Sequence, residues 1–529
     1  MAASNNHGLN LSTLGNGHWT QNFRYETLDI TIRGQNLLWL VISMVIFPLA
    51  TLTFFGAFQK SSKLPWVNRP GPFDIFKFFA KYRFLKGARE MVRKGFEDHA
   101  DKPGFRMIAD SGEITMLSPK FAYELKNDHR VDFVSLFLQD FHEGIPGFEF
   151  TADGARDAKL LRQVTKTQLT HQLAKITDAL SIECIAALDD IFTNQKEFHK
   201  IQLRSSILQL VSRMSSRAFL GENFCRNKEW LDITTAYAGT VNKAAIMLRL
   251  WPSPIRRIVH WILPACRDAR SGVQAARRVL EPMLERRRRQ KAEDPNLKYD
   301  DTLEWTEQAA KGAYYDPVSV QLLFSMAAMH TTTDLITQVL LDLAAHPEML
   351  EPLRHEIETV LIEEGGWTKA SFHKMKLLDS VLKECQRMKP ASISGLRGIL
   401  NADVTLTGGL QLPKGTSIAV STHLMWDENV YSNPQEWNGY RFYQLRQIPG
   451  KENSSQLIST APEHMGFGLG SHACPGRFFA THEVKMALCH ILLRYEWKLP
   501  VGEEPKTRSF MWSLVADPLA DMLVRRRSS

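Results

Sequence analysis

Beyond about residue 73, apolar residues recur mostly at three- and four-residue spacing, the period of helices that bury one face. Phe324–Leu343 is a long helical pattern of this kind, with three successive threonines, Thr331–Thr333, as a polar patch in it. Period-two segments are few. Phe105–Ala109 and Glu113–Leu117 flank the turn Asp110-Ser111-Gly112 and predict a hairpin. Val404–Leu406 and Leu410–Leu412 predict another, and strand signals return near the C-terminus. The pattern is that of a mainly α chain with a small β region and no internal repeats.

The N-terminal part reads differently. Residues 1–36 are polar, and residues 37–58 (Leu37 to Phe58) are uncharged and mostly apolar, with Pro48 inside. As a helix this run spans roughly 33 Å, enough for a hydrocarbon core of about 30 Å. Lys60, Lys63, Arg69, Lys77, Lys81, Arg83 and Lys86 follow it, whereas only Arg24 and Arg33 closely precede it. The positive-inside rule therefore predicts a single transmembrane helix with the chain after it in the cytosol. The tail would face the lumen and carries one glycosylation sequon, Asn10-Leu11-Ser12. Residues 59–72 are rich in proline (Pro65, Pro70, Pro72) and predict a stiff connector. Residues 73–529 would form the catalytic domain.

Composition narrows the class. The chain has 529 residues, 44% of them hydrophobic, which supports either several average domains or one large core. The net charge of +8 suits nucleic acid, anionic lipid or an acidic protein partner. The basic residues are spread along the chain and no nucleic-acid module is visible, which leaves lipid and protein. Arg286–Arg289 with Lys291 reads as a solvated face at a helix end. The cysteines (Cys184, Cys225, Cys266, Cys385, Cys474, Cys489) are scattered, so a disulfide framework is not expected. Cys385 and Cys489 fall in apolar helical patterns and read as core thiols.

Cys474 differs. It lies in Phe467-Gly468-Leu469-Gly470-Ser471-His472-Ala473-Cys474-Pro475-Gly476, or F-x-x-G-x-x-x-C-x-G, just before an apolar helical pattern. Glycines at 468, 470 and 476 allow the backbone close to a flat ligand and permit positive φ. Pro475 suits the first position of the following helix. There is no second cysteine at C-x-x-C spacing, which argues against zinc and iron–sulfur sites. A single axial thiolate on heme iron remains the best match, a ligand that favours O–O cleavage.

On these residues the chain resembles the cytochrome P-450 superfamily of heme-thiolate monooxygenases, and within it the fungal microsomal enzymes of specialised metabolism, such as ent-kaurene and indole-diterpene oxidases. The resemblance implies the cytochrome P-450 fold, heme b held by Cys474, and electrons from NADPH through a separate reductase. Phe467 would pack beside the thiolate, with Gly476 giving the ring room. His472 and Arg397 would meet the heme propionates, with Arg162 or Lys166 supplying the cation of the following contact, where the usual tryptophan is missing. Ala327-Ala328-Met329-His330-Thr331-Thr332-Thr333-Asp334 resembles the oxygen-binding helix. Thr331 would handle dioxygen and protons. His330 stands where an acid is usual and joins a water-linked relay in this reading, with Asp334 as a second candidate. Glu384-Cys385-Gln386-Arg387 is an E-x-x-R that would combine with Arg441 as a structural charge cluster. Leu248–Pro264 would join two helices near the membrane, or pack in the core. Arg477 and Lys485 would help dock a reductase.

The expected activity is insertion of one oxygen of O2 into a hydrophobic intermediate at the endoplasmic reticulum membrane. The first substrate class is a terpenoid, meroterpenoid or indole-diterpene; an indole alkaloid or polyketide is the alternative. The partners implied are NADPH-cytochrome P-450 reductase, cytochrome b5 and membrane lipid, with no nucleic acid. Val131–Phe150, residues 234–250, Ala327–Ala328, Ala391–Gly395 and Met511–Leu514 would line the pocket. A heme-thiolate isomerase or dehydratase that needs no reductase, and a non-catalytic heme sensor, are the rival classes.

Overall fold

The computed structural model describes residues 63–74, 76–151 and 154–528, with backbone alone at 154–157. Leu37–Phe58, the preceding tail and the Asn10 sequon lie outside the described residues. Among the described residues no helix is long and apolar enough to cross a membrane.

Helices dominate, as the three-and-four periodicity predicts. The apolar stretch around residue 330 becomes a single helix, Pro317–Ala345. Asp316 caps it by accepting the Val318 N–H, and Pro317 takes the first turn, where a missing N–H costs nothing. Leu203–Leu220 and Lys228–Arg249 pack around it, as does Pro264–Glu293, the longest of the described helices, while Thr170–Ile191 packs on Leu203–Leu220. Lys376–Met388 and Arg477–Arg494 lie against its C-terminal half. The main hydrophobic core forms between these helices and includes Ile336, Val339, Leu340 and Leu343 from the central one.

The β part is small. Six strands lie in the order Trp66–Val67, Gly104–Ile108, Glu113–Leu117, Ser417–Ser421, Ser394–Leu400 and Val131–Asp132. The first hairpin forms with Phe105 opposite Met116, one residue earlier at its start than the pattern suggests. Val404–Leu406 and Leu410–Leu412 pair as predicted. The C-terminal strand Asp521–Arg526 lies between Tyr495–Lys498 and His199–Gln202. The proline-rich connector contributes an edge strand: Trp66 pairs with Arg106, whose guanidinium sits 4.1 Å over the Trp66 ring.

Two segments are defined more closely than the pattern allows. Arg286, Arg288 and Arg289 are exposed near the end of the Pro264–Glu293 helix, as the solvated-face reading has it, but Arg287 and Lys291 are engaged. Arg287 pairs with Asp301, while Lys291 pairs with Glu304 and Glu307, tying this helix to Thr302–Ala310. The stretch between Lys228–Arg249 and Pro264–Glu293 is not core. Ile258, Trp261 and Ile262 are 71%, 61% and 75% exposed, and Phe73 and Phe79 are exposed as well.

Candidate active site

The loop around Cys474 is closed by its own backbone. The Cys474 N–H donates to the Phe467 carbonyl at 2.7 Å, and the Gly468 N–H to Met465 at 2.8 Å. Gly468 and Gly470 have φ of 76° and 59°, a region that side chains avoid. A Cβ on Gly468 would stand 2.6 Å from the His472 carbonyl oxygen. Gly476 has an ordinary φ of −88°. Its role is space: a Cβ there would sit 3.4 Å from Thr165 Cγ2 and 4.0 Å from the Cys474 sulfur.

The helix after the loop starts at Arg477, with Gly476 as its cap. Pro475 therefore precedes the cap rather than filling the first helical position. The reason is chemical as well as geometric. The Gly476 and Arg477 backbone N–H groups point at the sulfur and lower its pKa, as does the Arg477 charge. Proline at either place would remove a donor. Burial still dominates and pushes the free Cys474 thiol above its ordinary value. The side chain nonetheless has accessible surface, unlike the other cysteines, all of which are buried. Protein packs densely round Cys474, yet the residue keeps accessible surface. A thiolate there would need a cationic partner, which a heme iron would supply.

Other donors converge on this loop. Arg162 donates to the Ser471 carbonyl oxygen from the end of Gly154–Gln163. Lys166 lies in the next turn, a π-helical segment at Val164–Leu169, and its side chain is exposed. The π turn carries Thr165 against Gly476; π turns of this kind are frequent at functional sites. His472 Nε2 is buried with no partner, and burial followed by the Arg162 charge holds the ring neutral.

Arg397 sits beside a β-bulge in Ser394–Leu400, where the register shifts between Ser394 and Arg397. Such bulges re-aim side chains. The guanidinium lies 4.5 Å over Trp512 and 3.5 Å from Asp140, an ion pair without a hydrogen bond, and its Nε has no partner. The orphaned nitrogens of His472 and Arg397 are suited to carboxylate groups, and with an exposed Cys474 and the Gly476 clearance they fit a heme with two propionates. Phe467 is half-buried against the main core.

On the central helix, three adjacent threonines separate by facing. Thr331 is exposed, on the same face as Ala327 one turn earlier, while Thr332 and Thr333 are buried. The Thr331 hydroxyl donates to the Ala327 carbonyl at 3.2 Å, and the helix remains α through this turn. His330 points elsewhere, with a hydrogen bond to the backbone at Thr235 and a buried Nε2 that lacks a partner. Burial, then the Arg204 charge, keeps this imidazole neutral. Asp334 is engaged structurally: it accepts the Ala516 N–H at 2.9 Å and a Gln338 amide hydrogen. Burial raises its pKa.

The E-x-x-R residues meet as a cluster. Arg387 donates Nε to Glu384 at 2.8 Å and NH2 at 2.9 Å; Arg441 Nε reaches both Glu384 oxygens at 3.1 Å. The cations spend their remaining donors on carbonyls of Met425, Pro434, Ser432 and Glu436. The decoy pair Glu90–Arg93 is exposed and paired only locally, which the spacing alone could not reveal.

Lys485 does not face a partner protein. It is 3% exposed and forms an ion pair with Asp379 at 2.7 Å, so its assignment to reductase docking is corrected. The sequence signal was there: Lys485 lies between Val484 and Met486 on a helix apolar nearly all round, where a lysine needs a buried partner. Arg477 is half-exposed, donating to the Cys474 carbonyl and stacking on Phe478.

Comparison with known proteins agrees with this geometry. The cytochrome P450 family model matches residues 86–524. Cytochrome P450 monooxygenase hepE of Aspergillus oryzae is 47% identical over 476 residues, covering 89% of this chain and 87% of that protein. A cytochrome P450 monooxygenase of Gibberella fujikuroi is 45% identical, over 81% of this chain and 98% of its own length. Cytochrome P450 monooxygenase TRI1 of Fusarium sporotrichioides is 41% identical, over 92% of both chains. The chain therefore belongs to the cytochrome P450 family, as a monooxygenase.

Proposed function

We propose that this chain is a membrane-associated monooxygenase that oxidises a hydrophobic intermediate of fungal specialised metabolism, terpenoid or meroterpenoid in the first instance. Cys474 holds heme, and His472 and Arg397 receive its propionates. The heme, once bound, supplies dioxygen activation with two electrons from NADPH through a separate reductase. The single observation that carries this reading is an exposed Cys474 whose sulfur is favoured as an anion by the backbone N–H groups of Gly476 and Arg477.

The residues of the chain do the rest. The amides of Gly476 and Arg477 favour the anionic sulfur against the burial that favours the thiol. Phe467 shields it from water. Thr331 presents a hydroxyl on the accessible face of the central helix, where it can pass a proton inward, and Ala327 leaves room beside it. His330 lies on another face, so any relay from it to Thr331 needs water between them. An aromatic group, in which Phe141 lies 4.8 Å from Phe137 and 5.5 Å from Phe150, makes the Val131–Phe150 side apolar and suits a hydrocarbon-rich substrate. The exposed Ile258, Trp261 and Ile262, with Arg256 and Arg257 beside them, support contact with an anionic membrane surface.

The test is NADPH-dependent oxygen uptake by the full chain with a reductase in membranes, using a panel of terpenoid, indole and polyketide substrates. Oxygen uptake matched by hydroxylated terpenoid supports the reading. Product formed without reductase or NADPH would point to an isomerase or dehydratase instead.

A further inference from the structure

The charge cluster at Glu384 does not touch the helix that follows Cys474. A second one does. Asp379 lies on the same helix as Glu384 and is buried. Its Oδ1 is 2.7 Å from Lys485 Nζ on the Arg477–Arg494 helix, and its Oδ2 is 2.6 Å from Arg446 NH2. It also accepts the Leu457 N–H at 2.9 Å. Burial opposes its charge, but Lys485 and Arg446 prevail and keep its pKa low. Lys485 completes its shell on the Phe372 carbonyl at 2.8 Å. In its middle turns the helix otherwise makes neutral contacts, His482 with Thr177, His490 with Ser181 and Glu483 with Ser215, while its last turn is held by Arg494 against Asp189 at 2.6 Å and by Arg354, which donates to the Leu492 carbonyl.

We propose that Lys485 is a positioning residue for Cys474: the Asp379–Lys485 pair fixes the axial and rotational setting of the helix whose first amides face the sulfur. The inference rests on Cys474 being the heme ligand. Lys485 lies about 12 Å along the helix from Arg477, at 1.5 Å per residue. A helix is stiff over two turns, so a shift at Lys485 carries to the Gly476 and Arg477 N–H groups. Arg446 tests the idea by contrast. It meets the same carboxylate but belongs to the segment after Arg441–Leu445, not to the thiolate helix.

The experiment uses heme-loaded full chain in mild urea. It follows conversion of the reduced carbon-monoxide band from about 450 nm to about 420 nm, alongside unfolding by far-UV circular dichroism. Lys485→Met is expected to speed the conversion about ten-fold or more beyond any change in unfolding rate, because a buried pair has lost its cation. Arg446→Met is expected to speed both processes by the same factor. Conversion that merely tracks unfolding in Lys485→Met, or equal behaviour of the two variants, overturns the proposal. If Lys485→Met yields no folded protein, Lys485→Arg decides: a smaller excess of conversion over unfolding supports the brace, and none overturns it. Absence of the 450 nm band from the unaltered protein would overturn the ligand assignment, and this inference with it.

Discussion

Arg441 and Glu384 lie 57 positions apart in the chain, yet Arg441 Nε sits 3.1 Å from both carboxylate oxygens of Glu384, which is wholly buried. With Arg387 on its other side, one carboxylate holds two cations. Removing it leaves both buried without a counter-charge.

Glu384→Ala is therefore expected to cost roughly 3–5 kcal/mol, and to yield protein with little heme. Pigment content per chain, with urea denaturation of whatever folds, measures this. A variant with full heme content and an unchanged midpoint contradicts the cluster's role.

Thr331→Ala should separate chemistry from folding. The Thr331 hydroxyl bonds only its own helix, so the stability change should stay within about 1 kcal/mol, while product formed per NADPH consumed falls several-fold. His330→Ala tests the relay: lower coupling without loss of heme supports it, and unchanged turnover and coupling remove His330 from the proton route.

Glu483 predicts a pH effect. It is fully buried with Ser215 as its hydrogen-bond partner, and burial pushes its pKa up to about 8. The folded state thus holds a proton that the unfolded chain releases from about pH 4.5 upward. Stability from this group is present below that value and is lost as pH rises towards 8. Glu483→Gln should flatten that alkaline decline, giving a larger gain in melting temperature at pH 8 than at pH 5. An equal gain at both pH values would falsify the assignment of a neutral Glu483.

Histidines act in the opposite sense. Burial holds His482 and His490 down to about 4. Unfolded chain takes up protons below about 6.5 that the folded protein refuses, so the stability these groups contribute is lost as pH falls from 6.5 towards 4. Acid titration followed by circular dichroism should show this limb, and His490→Gln should shorten it.

Arg162 and Lys166 are separable. Arg162 touches the Ser471 carbonyl, whereas Lys166 is exposed. Arg162→Ala should speed heme loss several-fold, and Lys166→Ala should leave it unchanged, both read by transfer of heme to apomyoglobin.

Much of this site was legible in the sequence because its parts are local. The Phe467–Gly476 spacing encodes a loop whose own backbone closes it, and Gly468 and Gly470 declare their positive φ by being glycine. The three threonines were visible, but the face of each depends on helix phase against neighbours, so only the fold separates Thr331 from Thr332 and Thr333. Asp334 looked like a proton carrier and proves to hold the Ala516 N–H, a contact 182 positions away. Lys485, set between Val484 and Met486, carried a local sign of burial, but no local pattern names the distant Asp379 as its partner. Long-range pairing is what one-dimensional patterns hold least of, and it separates bracing residues from docking ones.

The central claim is that the Cys474 sulfur binds heme iron as a thiolate. The reduced, carbon-monoxide-treated protein should show a band near about 450 nm that Cys474→Ser lacks. No such band, together with an identical spectrum from Cys474→Ser, would contradict it.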